Sequence, residues 1–312
     1  MATAYRWDML NYAGTLFTVS REQTPFLSMI GGINGARGVN ALHFPISSEY
    51  TLANVSSAGI TEATAATAPP GARNYKRGQN VNTVQIFQEG IDISYVTQAT
   101  MGQMAPLALN IAGQKNNVGN EKDFQIMLTL QTMARNVDYS FLHGAYLPYT
   151  ESNVAFTTKG IVTAVTLCAT AVGGATLTKA IFNAALIDAW NEGAKFVRPV
   201  IFCGAFNKTK FSDIYGYAPE DRNYDGLNIK TIETDFGVMG IVLEPHLDAG
   251  TILVADLSVC YPVFCNIPGK PALFYEELAK TGAAEKGQLF GMLGLDYGPE
   301  WMHFKITGLA TS

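Results

Sequence analysis

The stretch from Asn120 to Leu142 constrains the fold most. Met127, Leu130, Ala134, Val137 and Phe141 recur at steps of three and four, which sets them on one face of a helix. Asn120 can cap its start, and Asp123 stands where the positive end of the helix dipole favours a carboxylate. Gly144 falls where a left-handed residue often closes a helix, and Pro148 follows soon after. At ~1.5 Å per residue the rod is about 35 Å long, the width of a small domain. A rod of that length serves as a spine on which other segments pack.

Around it the chain is poor in charge. Of 312 residues 15% are charged, against about 25% in an ordinary soluble protein. Some thirty positions that would usually be charged are therefore not, and a lone copy would expose much uncharged surface. Covering by further copies of the same chain is the expected remedy. The net charge of −5 and pI of 5.4 exclude a nucleic-acid reader, which needs a basic stripe against phosphates. They suit a surface that lies near nucleic acid without holding it. Cys168, Cys203, Cys260 and Cys265 sit in apolar surroundings with no C-x-x-C pair, so buried inert thiols are expected. The N-terminus lacks an apolar signal core. No charge occurs between Lys159 and Lys179, but the threonines and Gly173-Gly174 favour strand and turn over a membrane span.

Residues 1–41 read as an irregular arm. Its glycines at 31, 32, 35 and 38 do not match a dinucleotide loop. Leu42, Phe44 and Ile46 alternate as a strand, and from Thr51 to Asn80 the pattern dissolves into Ala, Thr, Ser and Gly. The chain returns as strand with Val84 and Ile86 in one phase and Ile91, Ile93 and Tyr95 in the other. The flip near Gly90 predicts a β-bulge. Strand out, polar tip and strand back describe a long hairpin, marginal alone and stable when laid on a neighbour. Beyond the spine, Thr178 can cap a helix whose apolar face is Ile181, Phe182, Ala185, Leu186, Ala189 and Trp190, ended by Gly193. A buried strand at 199–203, a helix from Phe206 to Ile214 and a polar loop to Leu227 follow. Strands are expected at 229–234, 238–243 and 251–255, with Asp235-Phe236-Gly237 as a turn. Residues 175–262 read as an α/β domain of their own. In the tail, Leu289, Leu293, Leu295 and Tyr297 share one phase, and Met302, Phe304 and Ile306 share the other after a Gly298-Pro299 turn. These tail strands are expected to join the hairpin beside the spine.

The sequence assembles no catalytic site. It has no G-x-S-x-G elbow, no phosphate loop and no H-E-x-x-H helix. His43, His143, His246 and His303 are scattered. Glu244, His246 and Asp248 alternate with ligand-type spacing, but Pro245 interrupts them and a solvated turn is expected. Asp221, Asp225 and Gly226 lack the closing glutamate of a calcium loop. No catalytic, cofactor or metal residue is assigned. Arg73, Tyr75, Lys76 and Arg77 form the one basic cluster, at the hairpin tip, read as a contact with acidic residues of a neighbour. With Phe26 in the arm and Tyr217 in the polar loop, they are the expected subunit contacts.

Five stretches carry a family resemblance: Thr24-Pro25-Phe26-Leu27, Gln85-Ile86-Phe87, Thr234-Asp235-Phe236-Gly237, Leu278-Ala279-Lys280-Thr281-Gly282 and Glu285-Lys286-Gly287-Gln288. Their order and spacing resemble the tailed-phage major capsid proteins of the Hong Kong 97 fold. The resemblance implies an α+β chain with four parts. These are an N-terminal arm (1–41), an extended hairpin loop with its flanking strands (42–97), a peripheral domain (98–174 and 263–312) built on the spine 120–142, and an α/β axial domain (175–262). It implies hexamers and pentamers of an icosahedral shell around double-stranded DNA, in a virion, with portal, scaffolding or decoration proteins as further partners. Some shells of this fold weld lysine to asparagine between subunits; Lys76 is the only lysine in this hairpin, and no crosslink is expected. An encapsulin-like compartment shell shares the fold. A tail or decoration protein and a soluble enzyme with a lid at 51–80 are the rivals from other classes.

Overall fold

The structure, a computed structural model, describes residues 23–52, 59–67, 75–96, 121–215, 221–224 and 227–311. The expected cap Asn120, the contacts Arg73 and Tyr217, and the Asp225-Gly226 pair lie outside these residues.

The predicted spine is a helix over Glu121–His143. Its buried side chains are Met133, Val137, Phe141 and Leu142, with Ile126 and Ala134 packed alongside. Met127 and Leu130, expected on the inner face, are exposed instead. Every fully buried side chain of the helix lies in its C-terminal half, while its N-terminal half meets the sheet through Ile126 and through Lys122, which pairs with Glu277 and Glu285. Gly144 also departs from expectation, because it is absent from the positive-φ glycines. Its role is close approach: a Cβ there would run into the carbonyl oxygens of Thr158 and Ser140.

Against the helix lies a five-stranded sheet. Its long strand β13 (Ala284–Asp296) pairs antiparallel along one edge with β4 (Gln85–Ser94). On its other edge it pairs with β12 (Leu273–Glu277) and β11 (Tyr261–Cys265), and β1 (Arg37–Val39) adds parallel to β11. Leu289, Leu293 and Leu295 are buried in one phase as read, with Tyr297 beyond the strand also buried. The bulge expected at Gly90 does not form: β4 pairs in unbroken register from Gln85 to Ser94. Phe87, Ile91 and Ile93 share the buried phase, and Ile86 faces out. The apparent flip arose because Val84 belongs to the junction before β4, where its N–H donates to the Leu42 carbonyl.

A seven-stranded sheet has the order β5-β14-β10-β6-β9-β8-β7. Its members are β5 (Ala169–Ala171), β6 (Pro199–Cys203), β7 (Asp221–Tyr224), β8 (Leu227–Thr234), β9 (Gly237–Leu243), β10 (Ile252–Asp256) and β14 (Phe304–Thr307). The turn between β8 and β9 is at Asp235-Phe236, and Gly237 has φ 122°, which a side-chain-bearing residue would strain to adopt. All of β6 and β10 is buried, because both faces of the sheet are covered. Ile201, Cys203, Ile252 and Val254 meet the helices Lys179–Asn191 and Ala205–Tyr215. Val200, Phe202, Leu253 and Ala255 face the core shared with the long helix. Thr178 caps its helix as read, with Oγ1 accepting from the Ile181 N–H at 3.3 Å.

Two sequence expectations are corrected here. The polar loop before Leu227 contains a strand, β7, paired with β8. The C-terminal strand β14 pairs with β10 in this sheet, not beside the hairpin, because Phe304 and Ile306 fill the core under the helix Lys179–Asn191. The sheet therefore does not stop at the expected boundary of 262. The uncharged run after Lys159 is a short helix (Ile161–Ala164) and strand β5, and no helix among the described residues is long and apolar enough to cross a membrane.

Candidate assembly interface

Among the described residues, strands β2 (His43–Tyr50) and β3 (Arg77–Thr83) pair only with each other, as an antiparallel ribbon. Its register shifts between Pro45 and Ser47, so the bulge of this region lies in the outgoing strand. The predicted structureless tip contains a helix, Glu62–Thr67, with no buried residue. Apolar residues at and beyond the ribbon's outer end face outward: Tyr50 is 66% exposed, Ile60 76% and Tyr75 53%. Lys76 and Arg77 are exposed as well. A two-stranded ribbon with its apolar groups in water is unstable unless something covers it.

The base of the ribbon is fixed firmly. Asn82 is fully buried, and its amide nitrogen lies 2.7 Å from the Leu295 carbonyl, 3.1 Å from Lys159 O and 3.1 Å from Thr158 Oγ1. Its amide oxygen accepts from the N–H groups of Lys159 and Thr83 at 2.8 and 2.9 Å. Phe44 and Val84 fill a small core with Val263 beneath it. One asparagine thus joins the ribbon to β13 and to the segment after the long helix. Sequence reading passed over Asn82; its one signal was a lone amide at the inner end of an apolar alternation.

Of the expected contacts, Tyr75, Lys76 and Arg77 lie together at the exposed ribbon tip. Phe26 does not join them. It belongs to a short helix, Pro25–Met29, is 0% exposed, and packs edge-on against Phe202 with ring centroids 5.4 Å apart. An apolar ring beside Pro25 is drawn into the shared core, so its expected role at a subunit contact is corrected to one of anchoring the arm within its own chain.

The anchor has a polar counterpart. Asp138 of the long helix accepts from the Leu27 N–H at 2.8 Å, and Glu244, just after β9, accepts from the Phe26 N–H at 3.1 Å. His246 Nδ1 stands 2.9 Å from Asp138 Oδ2. The Glu244-His246 pair is therefore no solvated turn. The third member is Asp138, while Asp248 is exposed. Burial, and then the neighbouring Asp138 charge, push the Glu244 carboxyl up to about 8.

Three further buried titratable groups, His303, Cys168 and Cys203, are held within the core. His303 is fully buried, with Nδ1 accepting from the Asp256 N–H at 3.1 Å and Nε2 donating to the Tyr297 carbonyl at 2.6 Å. Burial lowers its pKa to about 4, so it is neutral. Burial pushes the Cys168 thiol up to about 11 and Cys203 to about 12, which makes both poor nucleophiles.

A projecting ribbon, a long helix on a sheet, and a second sheet sandwiched by helices define a shell-forming subunit of the Hong Kong 97-like capsid fold. Solved structures of that fold overlay almost the whole chain. The cyanophage A-1(L) capsid asymmetric unit matches with a TM-score of 0.65 at 12% identity, over 97% of this chain and 96% of that one. The cyanophage P-SCSP1u capsid matches at 0.57 and 11%, over 96% and 92%. The SrpI encapsulin of Synechococcus elongatus PCC 7942 matches at 0.59 and 12%, over 98% and 93%. A comparison with curated proteins gives no match. The family model for the SU10 major capsid protein matches residues 1–310, and the chain belongs to that family: it is a major capsid protein.

Proposed function

We propose that the chain closes into hexamers and pentamers of an icosahedral shell around double-stranded DNA, with the β2–β3 ribbon lying across the neighbouring subunit. The observation that carries this reading is the ribbon itself, anchored at Asn82 and presenting Tyr50, Ile60 and Tyr75 to water. Met127, Leu130 and Tyr139 on the long helix supply a second uncovered apolar surface. Residues 175–262, extended by β14, act as the axial domain. The long helix and five-stranded sheet act as the peripheral domain, and residues 1–41 as the arm. Tyr75, Lys76 and Arg77 meet acidic groups of the adjacent copy. The acidic net charge keeps the inner wall from gripping the packaged DNA. Portal, scaffolding or decoration proteins complete the virion, and the chain is made in the host cytoplasm.

Negative-stain microscopy of the expressed protein tests this: closed particles of uniform diameter are expected, and a monodisperse monomer under all salt and crowding conditions would refute it. The likeness to the SrpI encapsulin supports a second reading, a compartment for protein cargo. Nuclease-protected DNA in particles from infected cells separates the two.

A further inference from the structure

We propose that Asp138, Glu244 and His246 form a site for a divalent transition-metal cation that ties the Phe26–Leu27 segment to the long helix and to the end of β9. Asp138 comes from the C-terminal part of the long helix. Glu244 follows β9, where its N–H donates to the Cys203 carbonyl and continues the pairing with β6. His246 lies two residues further on. One ligand-type atom from each falls within 4.8 Å of the others. With bonds of about 2.1 Å, ligand atoms at a right angle lie about 3.0 Å apart, and at the tetrahedral angle about 3.4 Å. His246 Nδ1 is 2.9 Å from Asp138 Oδ2 and 3.5 Å from Glu244 Oε1, so the set already spans one face of a coordination polyhedron.

The ligands are held in place by the backbone. Glu244 accepts from the N–H groups of Phe26 and His246, and Asp138 accepts from that of Leu27. Such bonds orient carboxylates for a metal: Asp138 Oδ2, which faces His246 Nδ1, takes none of these backbone bonds, and Glu244 Oε1 keeps a second lone pair beside the bond from the His246 N–H. Two carboxylates with almost no exposure, Asp138 and Glu244, face the same imidazole ring. His246 Nε2 is buried with no hydrogen-bond partner, so the ring is held by its Nδ1 side alone. Two carboxylates and one imidazole suit zinc, manganese or cobalt better than calcium or magnesium. The sequence pointed to Glu244 and His246 but paired them with Asp248. The helix supplies the nearer carboxylate.

The test uses the full chain, stripped with a chelator and titrated with Zn(II). One zinc per chain is expected by elemental analysis, with a rise in Tm on the order of 5 °C at zinc a hundred times its dissociation constant. His246→Gln should weaken binding at least tenfold. Absence of stoichiometric zinc in the unaltered protein, or unchanged affinity in His246→Gln, would overturn the proposal. Should that variant fail to fold, Co(II) loaded into the unaltered protein decides. Visible bands of nitrogen and oxygen donors support the site. Thiolate charge-transfer bands, which would place the metal at a cysteine, or no bands at all, refute it.

Discussion

At the scale of single residues, two buried polar side chains carry more than their size suggests. Asn82 has every donor and acceptor of its amide engaged. Asn82→Ala strands the Lys159 N–H and the Leu295 carbonyl in the interior, and is expected to destabilise the subunit by about 2–4 kcal/mol in denaturant titration. Asn82→Asp keeps the shape but buries a charge and loses the donors, so it should cost more than alanine. A milder effect for Asp would show that the site is wetter than its burial indicates. His303 gives a pH dependence with a definite sign. Its folded pKa of about 4 lies below the unfolded value of about 6.5. The unfolded chain therefore takes up the proton first. The contribution of His303 is complete above pH 6.5 and falls as pH drops toward 4, by roughly 3 kcal/mol in all. Replacing it with glutamine should flatten the stability curve between pH 4 and 6.5, as read by denaturant midpoints.

At the scale of elements, the end of the long helix depends on Gly144 for a reason unrelated to left-handed geometry. The Thr158–Gly160 segment crosses so closely that the Gly160 N–H donates to the Gly144 carbonyl at 2.9 Å. Gly144→Ala should therefore cost about 2 kcal/mol or more through overpacking, although alanine is the better helix former. A neutral or stabilising result would mean the crossing segment yields freely. The ribbon behaves oppositely, since the described residues at its outer end, Tyr50, Tyr75 and the helix Glu62–Thr67, are exposed. Replacing residues 51–76 with a short turn should leave circular dichroism of the remainder unchanged and abolish particle formation. Because Asn82 and Phe44 hold only the base, amide exchange at 43–50 and 77–81 should slow on assembly, while exchange at β13 stays as it was.

For the whole molecule, one core runs from the arm through the long helix to one face of the seven-stranded sheet, joining Phe26, Val137, Phe202 and Leu253. The two sheets should therefore unfold as a single cooperative unit in calorimetry. Two separate transitions would show that the shared core is weaker than its burial implies. Lys76 is exposed at the ribbon tip and is the only lysine of that hairpin. Shells boiled in detergent are expected to run as monomers, and a covalent ladder would reveal an intersubunit bond.

The local periodicities were legible because they are one-dimensional. The apolar steps of 121–143, the buried phase of Leu289, Leu293 and Leu295, the Thr178 cap and the turn before Gly237 each depend on neighbours within a few residues. The ordered motifs from Thr24 to Gln288 pointed to the family. What the sequence could not decide is which far segments share an edge or a core. Phe26 and Phe202 are far apart along the chain, β14 chose β10 over the hairpin, and Asp138 displaced Asp248 beside His246. Those choices follow from packing in three dimensions, where two faces of one sheet must both be covered and each buried carboxylate must find a donor wherever the chain brings one.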